Sequence, residues 1–177
     1  MEAHLRSVSA ANAEGTSLAV HASSFEEFYE ANHRRLFVAL CLVTGNRHEA
    51  EEIMQDTFLR ILERWDRLAG LEDPVSYLYR AAMNVFRNRY RRASLAARRT
   101  LSLAPTTDDL AAVETRDEVV RLMRGLIPQQ RAAILLTAIL EYSSEEAGRM
   151  LGMKASTVRV LTARARAHMK GKVVDPL

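Results

Sequence analysis

The sequence predicts an all-α protein: two small helical domains joined by a flexible linker, the second containing a helix-turn-helix. Three observations carry this. Glycine and proline are sparse, 7 and 4 in 177 residues, too few for a turn-rich β-architecture. Apolar residues recur at i, i+3, i+4 and i+7 over long windows. Helix N-cap signatures precede those windows at Ser24, Asn46, Asp73 and Ser143.

In chain order, residues 1–22 are rich in Ala, Ser and Asn without a stable period and read as a disordered or frayed leader. The first domain spans 23–92. Ser24-x-x-Glu27 is a capping-box pattern, and Phe28, Leu36, Phe37, Leu40 and Val43 follow at helical spacing up to Gly45, a helix stop. Asn46-x-x-Glu49 opens the clearest amphipathic helix, with Ala50, Ile53, Met54, Thr57, Phe58, Ile61, Trp65 and Leu68 on one stripe. Asp73-Pro74 places an N-cap before a proline at the first helical position. The helix it starts runs to about Arg92, with Val75, Leu78, Ala82, Val85 and Phe86 inward.

Residues 93–108 lack a sustained apolar stripe and end in turn formers, so they read as the linker. The second domain, 109–177, has helical stretches at about 109–125 and from Pro128 to Leu140. Ser143-x-x-Glu146 is another capping box, opening a short helix that closes at Gly152, and a basic helix follows from Ser156 to Lys170. A short capped helix, a glycine turn and a basic helix make a helix-turn-helix, whose second helix enters a DNA major groove.

Composition excludes several classes of function. No run of about 18 apolar residues is free of charge, so no membrane insertion is expected, and no signal-peptide core opens the chain; a cytoplasmic protein is expected. The single cysteine, Cys41, rules out an internal disulfide and lies in the apolar run Leu40 to Val43, as a buried structural thiol would. The five histidines show no i, i+4 metal spacing. No phosphate loop or nucleophile elbow occurs, so neither a metal, a cofactor nor a catalytic residue is expected, and the protein reads as a non-enzyme.

The net charge is only +3, but it is unevenly distributed. Arg80, Arg87, Arg89, Arg91, Arg92, Arg98 and Arg99 occur with no acid among them, and so do Arg149, Lys154, Arg159, Arg164, Arg166, Lys170 and Lys172. In the first of these runs Tyr77, Tyr79, Asn84, Asn88 and Tyr90 interleave with the arginines. Guanidinium groups there can neutralise phosphates while rings stack on unpaired bases. The plainer alternative is core-facing tyrosines beside a solvated arginine face. Glu49, Glu51, Glu52 and Asp56, by contrast, form an acidic stretch that would repel a polyanion. It is either a solvated face or a docking face for a protein.

Two sets of residues carry a family resemblance. Ala50-Glu51-Glu52-Ile53-Met54-Gln55-Asp56-Thr57-Phe58, followed by Tyr77-Leu78-Tyr79-Arg80-Ala81-Ala82-Met83-Asn84, resembles the second domain of bacterial extracytoplasmic-function sigma factors of the sigma-70 family. Leu126-Ile127-Pro128-Gln129-Gln130-Arg131, Tyr142 to Gly152, Thr157-Val158-Arg159 and Ala163-Arg164-Ala165-Arg166 resemble that family's fourth domain. The match spans Phe25 to Lys170.

The resemblance implies an alternative sigma factor that directs core RNA polymerase to a promoter class. Glu52, Gln55, Asp56 and Arg60 would dock on the clamp helices of the largest polymerase subunit, and the fourth domain on the flap of the second-largest. The loop from Asp66 to Asp73 and the helix after it would face the −10 element, through Tyr77, Tyr79, Arg80, Asn84, Arg87, Asn88 and Arg91, opening the duplex and capturing a flipped base near Asn84. Residues 93–108 would thread the RNA-exit path.

The last helix would read the −35 element through Lys154, Ser156, Thr157, Arg159, Val160, Ala163, Arg164 and Arg166. Val160-Leu161 stand where the family usually has a small polar and then a basic residue, and Lys154 replaces the usual capping serine. Leu161 cannot hold a phosphate or a guanine edge, which reduces the −35 contacts. Val160 suits a thymine methyl group and Leu161 suits packing. Promoter DNA and core polymerase are the implied partners, and the resemblance allows an anti-sigma factor as a third. Two rival readings are a conventional dimeric helix-turn-helix regulator and a sigma-like decoy that titrates an anti-sigma factor.

Overall fold

The computed structural model describes residues 24–100 and 122–174, which are helical with no strand among them. The expected leader, residues 101–108 of the expected linker and most of the expected helix at 109–125 lie outside the described residues.

Helix α1 (Phe25–Thr44) begins where Ser24 accepts from the Glu27 backbone N–H at 3.2 Å and ends where Gly45 turns left-handed, φ 72°. Its inward side is almost wholly apolar. The one buried amide, Asn32, donates to the Phe28 carbonyl at 2.8 Å, so no polar group is stranded there. Helix α2 (Arg47–Leu62) is capped by Asn46, which accepts from Glu49 N–H at 2.9 Å. A single turn, α3 (Trp65–Leu68), sets Trp65 against Phe28 with ring centroids 5.1 Å apart. Phe25, Tyr29 and Phe58 join them in an aromatic cluster that fastens α1 to α2 and α3.

Asp73 accepts from Ser76 N–H at 2.9 Å and starts α4 (Pro74–Thr100). This helix corrects the expected boundary at Arg92. Residues 93–100 are helical, because Ala-Ser-Leu-Ala-Ala-Arg-Arg-Thr is composed mainly of good helix formers with no breaker before Pro105. A missing apolar stripe argues against burial and leaves helicity open.

In the second half, α5 (Pro128–Ile134) runs into a π turn (Leu135–Ile139). Glu141 then takes φ 57°, a left-handed value that side chains disfavour, and the Tyr142 N–H closes the end on the Leu136 carbonyl at 2.9 Å. Helix α6 (Ser144–Leu151) carries the predicted capping box in both directions: Glu146 N–H to Ser143 Oγ at 3.2 Å, and Ser143 N–H to Glu146 Oε2 at 2.9 Å. Those bonds hold the Glu146 carboxyl below the usual range. Gly152 (φ 65°) ends α6, and α7 (Ala155–Val174) completes the helix-turn-helix.

The two halves meet. Helix α1 packs against α2 on one side and against α5 and the π turn on the other, while α4 packs against both α2 and α6. Buried residues of both halves, from Phe28 through Leu136 to Val158 and Ala165, belong to one contiguous apolar cluster.

Gly148 tests the turn. A Cβ there would lie 2.7 Å from the Met153 carbonyl oxygen and 3.3 Å from Ala155 N, both backbone atoms of the helix-turn-helix. Gly148→Ala is expected to destabilise the chain by about 1–3 kcal/mol, as overpacking does, despite alanine's better helix propensity. Urea denaturation checks the sign.

Candidate nucleic-acid and protein interface

Three surfaces gather the residues singled out from the sequence. The first is the outer face of α2. Gln55 and Arg60 are exposed; Glu52 and Asp56 are partly exposed, and both are held by Arg89 of α4. One guanidinium nitrogen donates to Glu52 Oε2 at 2.5 Å and the other to Asp56 Oδ2 at 2.8 Å. The bond to Asp56 and the paired charges push the arginine's pKa further up. Around this clamp, Arg47 pairs with Glu51 at 3.1 Å and His48 lies 3.7 Å from Glu52. Burial raises the Glu49 carboxyl. The sequence placed Arg89 in a basic run; the fold turns it toward the acids of the neighbouring helix. Nothing in the spacing signals this, because the partners are 37 and 33 residues away.

The second surface is α4. Arg80 and Arg91 are exposed, and Asn84, Arg87, Asn88 and Tyr77 are partly so. Tyr79 is the exception. It is 6% exposed, and burial pushes its phenol up to about 12. As a ring available to stack on a base it is therefore corrected: it falls on the same stripe as Val75, Ala82 and Phe86, at i+4, i+7 and i+11 from Val75, and belongs to the core.

The outer side of α4 faces α6. Arg80 and Asn84 line a cavity of about 160 Å³ together with Glu146, Arg149 and Met150. Arg87 lies on Gly152, where a Cβ would come within 2.4 Å of its Nη1. Tyr142 donates its phenolic hydrogen to Ser76 Oγ at 2.9 Å, and burial raises that phenol's pKa.

The third surface is α7. Lys154, in the turn before it, and Ser156, Thr157, Arg159, Val160, Ala163, Arg164 and Arg166 on it are all exposed. Val158, Thr162 and Ala165 are buried, with Thr162 Oγ1 3.2 Å from Thr137 Oγ1. Leu161 is partly buried and packs against the core, the role its chemistry suited, while Val160 is 48% exposed. Arg159 reaches Glu145 at 3.1 Å, with both side chains 59% exposed, so this pair is weak and exchangeable.

Among the described residues no group of His, Cys, Asp or Glu could hold a metal ion, and no helix is long and apolar enough to cross a membrane. Cys41 is buried, and its thiol is raised to about 11.

A helical chain with a helix-turn-helix and segregated acidic and basic faces has the makings of a transcription factor. Residues 28–96 match the Sigma-70 region 2 family and residues 116–169 match Sigma-70, region 4. The ECF RNA polymerase sigma factor SigM of Mycobacterium tuberculosis (strain ATCC 35801 / TMC 107 / Erdman) is 31% identical over 152 residues, covering 82% of this chain and 75% of its own. The ferric citrate uptake sigma factor FecI of Escherichia coli (strain K12) is 29% identical over 153 residues, covering 82% and 88%.

The sigma factor RpoE from Bartonella quintana, solved in complex with the anti-sigma factor NepR, shares the fold with a TM-score of 0.62 at 18% identity, covering 86% of this chain and 98% of that one. The chain belongs to the extracytoplasmic-function group of the sigma-70 family. It is an alternative sigma factor, which directs RNA polymerase in promoter-specific transcription initiation.

The clamp made by Arg89 sits at 32% exposure and its carboxylates at 44% and 42%, so water screens it. Arg89→Ala should cost at most about 1 kcal/mol of stability, less in high salt. A double-mutant cycle with Asp56→Ala, read by urea denaturation at two ionic strengths, checks this; coupling well above that range would mean the pair is effectively desolvated.

Proposed function

We propose that the three faces divide the work of initiation. Glu52, Gln55, Asp56 and Arg60 dock on the clamp helices of the polymerase's largest subunit, α4 holds the opened −10 element, and α7 reads the −35 element. The second half also meets the flap of the second-largest subunit. The observation that carries this reading is the segregation of charge. The acids of α2 stand on one face, Glu52 and Asp56 held by Arg89 and Glu51 by Arg47, while the helix-turn-helix presents an exposed basic face. A carboxylate face repels DNA phosphates and suits a protein partner; an exposed basic helix suits a duplex.

On α4, Asn84 offers amide donors and an acceptor to the edge of a flipped base. With Tyr79 in the core, stacking falls to Tyr77 and to the guanidinium planes of Arg80 and Arg87. Flipping costs a few kcal/mol of lost stacking, which these contacts offset. Arg91 and Asn88, a turn further on, hold phosphates. On α7, Arg159 lies in the second turn and reaches a base edge. Val160 meets a thymine methyl group, and Lys154, Ser156, Thr157, Arg164 and Arg166 hold the backbone around Ala163, whose small side chain permits close approach. The chain catalyses no reaction itself and works in the cytoplasm, where the polymerase is. An anti-sigma factor is a fitting regulator, as RpoE from Bartonella quintana is solved in complex with one.

Two outcomes follow. Asp56→Asn removes one docking charge while keeping a hydrogen-bond acceptor for Arg89. It should weaken co-purification with core polymerase about tenfold, equivalent to about 1.4 kcal/mol, with far-ultraviolet circular dichroism unchanged. Arg159→Ala should cost about 1–3 kcal/mol and relax preference at one −35 position, whereas Arg164→Ala should weaken all sequences alike and lower the salt slope by about one. Selection from a duplex pool randomised across the −35 element separates them; identical uniform losses would remove direct readout by Arg159.

A further inference from the structure

We propose that Arg89, although it lies in the basic run of α4, is a positioning residue of the polymerase-docking face. Its fork holds Glu52 and Asp56 side by side, so that the second oxygen of each carboxylate meets a basic partner as part of a preformed pair. The inference rests on the reading of α2 given above and adds a residue of α4 to that site.

Helical phase separates Arg89 from the other cations of its helix. At about 100° per residue, Arg80, Asn84, Arg87 and Arg91 fall within an arc of about 60°. Arg89 lies about 170° from the middle of that arc, in phase with Leu78 and Ala82, which are fully buried. It extends their stripe by two turns, and what it meets there on α2 is a pair of carboxylates. A DNA strand lying along Arg80, Asn84 and Arg87 has the width of the helix between it and Arg89.

The contact organises the acids and leaves them open. One guanidinium nitrogen takes Glu52 Oε2 and the other takes Asp56 Oδ2, one oxygen from each carboxylate. Glu52 Oε1 lies 3.7 Å from the exposed His48, and Asp56 Oδ1 has no hydrogen-bond partner among the described residues. Two carboxylates one turn apart on a helix repel each other. A planar, forked guanidinium bonds both at once, which the point charge of a lysine does not. Leu59, one turn further along the same face, is 58% exposed and gives a protein partner an apolar anchor beside the acids.

Arg89 acts on docking in two opposed ways, and they fall on different rates. Its charge cancels that of one carboxylate and so weakens long-range attraction to a basic partner, which salt at about 0.15 M already screens beyond about 8 Å. Its bonds order two side chains in advance, and each ordered side chain is worth about two- to tenfold in affinity, so ordering outweighs charge. Loss of Arg89 therefore leaves encounter as fast or faster and makes the complex shorter-lived.

The test is surface plasmon resonance of the full chain on immobilised core RNA polymerase. Arg89→Ala should raise the dissociation rate about fivefold, within the range for one ordered side chain, with an association rate no lower than that of the unaltered chain. Arg89→Lys, which keeps the charge and loses the fork, should still dissociate at least about threefold faster than the unaltered chain. In a Glu52→Gln, Asp56→Asn background, Arg89→Ala should change dissociation by less than about twofold, because the residue acts through those carboxylates; a general loss of structure would add in full. With a random 12-nucleotide single strand as probe, Arg89→Ala should leave the salt slope unchanged, where a lost phosphate contact would lower it by about 0.7.

Unchanged dissociation or slower association in Arg89→Ala, full recovery by lysine, or a lowered salt slope overturns the proposal. Glu52→Gln and Asp56→Asn without the arginine change separate this failure from that of the underlying reading. If they speed dissociation while Arg89→Ala does not, α2 keeps its role and only the positioning is lost; if they change nothing, the docking face and its positioning residue fail together.

Discussion

Helix α1 has to hide apolar side chains on two sides at once, and the rest of the molecule is arranged to let it. Phe28, Leu36, Leu40, Cys41 and Val43 have no exposed surface. At about 1.5–3 kcal/mol for each large apolar side chain removed from water, no single neighbouring helix could meet that demand. Helix α2 and the aromatic cluster take one side; α5 and the π turn take the other. The two halves of the chain are therefore joined through a shared core, and any separation of them exposes part of it.

Helix α4 lies at the centre of the functional account because three faces of one helix do different things. Its inner stripe, Val75, Leu78, Tyr79, Ala82 and Phe86, is core. On a second side Arg89 crosses to the acids of α2, neutralising itself and fixing two carboxylates side by side. The third carries Arg80, Asn84 and Arg87 toward the helix-turn-helix. A helix of 27 residues can hold these roles apart because positions two apart point away from each other, as Arg87 and Arg89 do. The same rigidity links them: the helix proposed to hold opened DNA is bonded to the helix proposed to hold polymerase.

How much of this was legible in the sequence follows from the range of the interactions. Caps were legible: Ser24, Asn46, Asp73 and the Ser143–Glu146 box act on backbone groups three residues away, and all are in place. Most of the inward stripe of the long helices was legible too, although Trp65 and Leu68, expected on the stripe of the second helix, sit on the separate turn α3 after that helix ends at Leu62. The resemblance to sigma factors, carried by two motifs in the right order, gave the family. The misjudged features depend on what lies across the fold. Tyr79 looked like a nucleic-acid residue because its neighbours are arginines, yet its helical phase makes it core. Arg89 looked like one more basic residue, since a pairing across more than thirty residues leaves no local mark. The linker began too early because residues 93–100 carry no apolar stripe to announce a helix. The docking of α6 on α4 depends on a glycine contact and a tyrosine hydroxyl that no periodicity encodes.

The account holds that one chain supplies two separable DNA-reading faces to RNA polymerase. Transcription in vitro with core polymerase and a library randomised upstream of the start site measures this directly. Sequencing the transcribed templates should return two enriched blocks at a fixed spacing, the downstream block weakened by Asn84→Ala and the upstream block by Arg159→Ala. A single enriched block, or two blocks that respond identically to both substitutions, would contradict it.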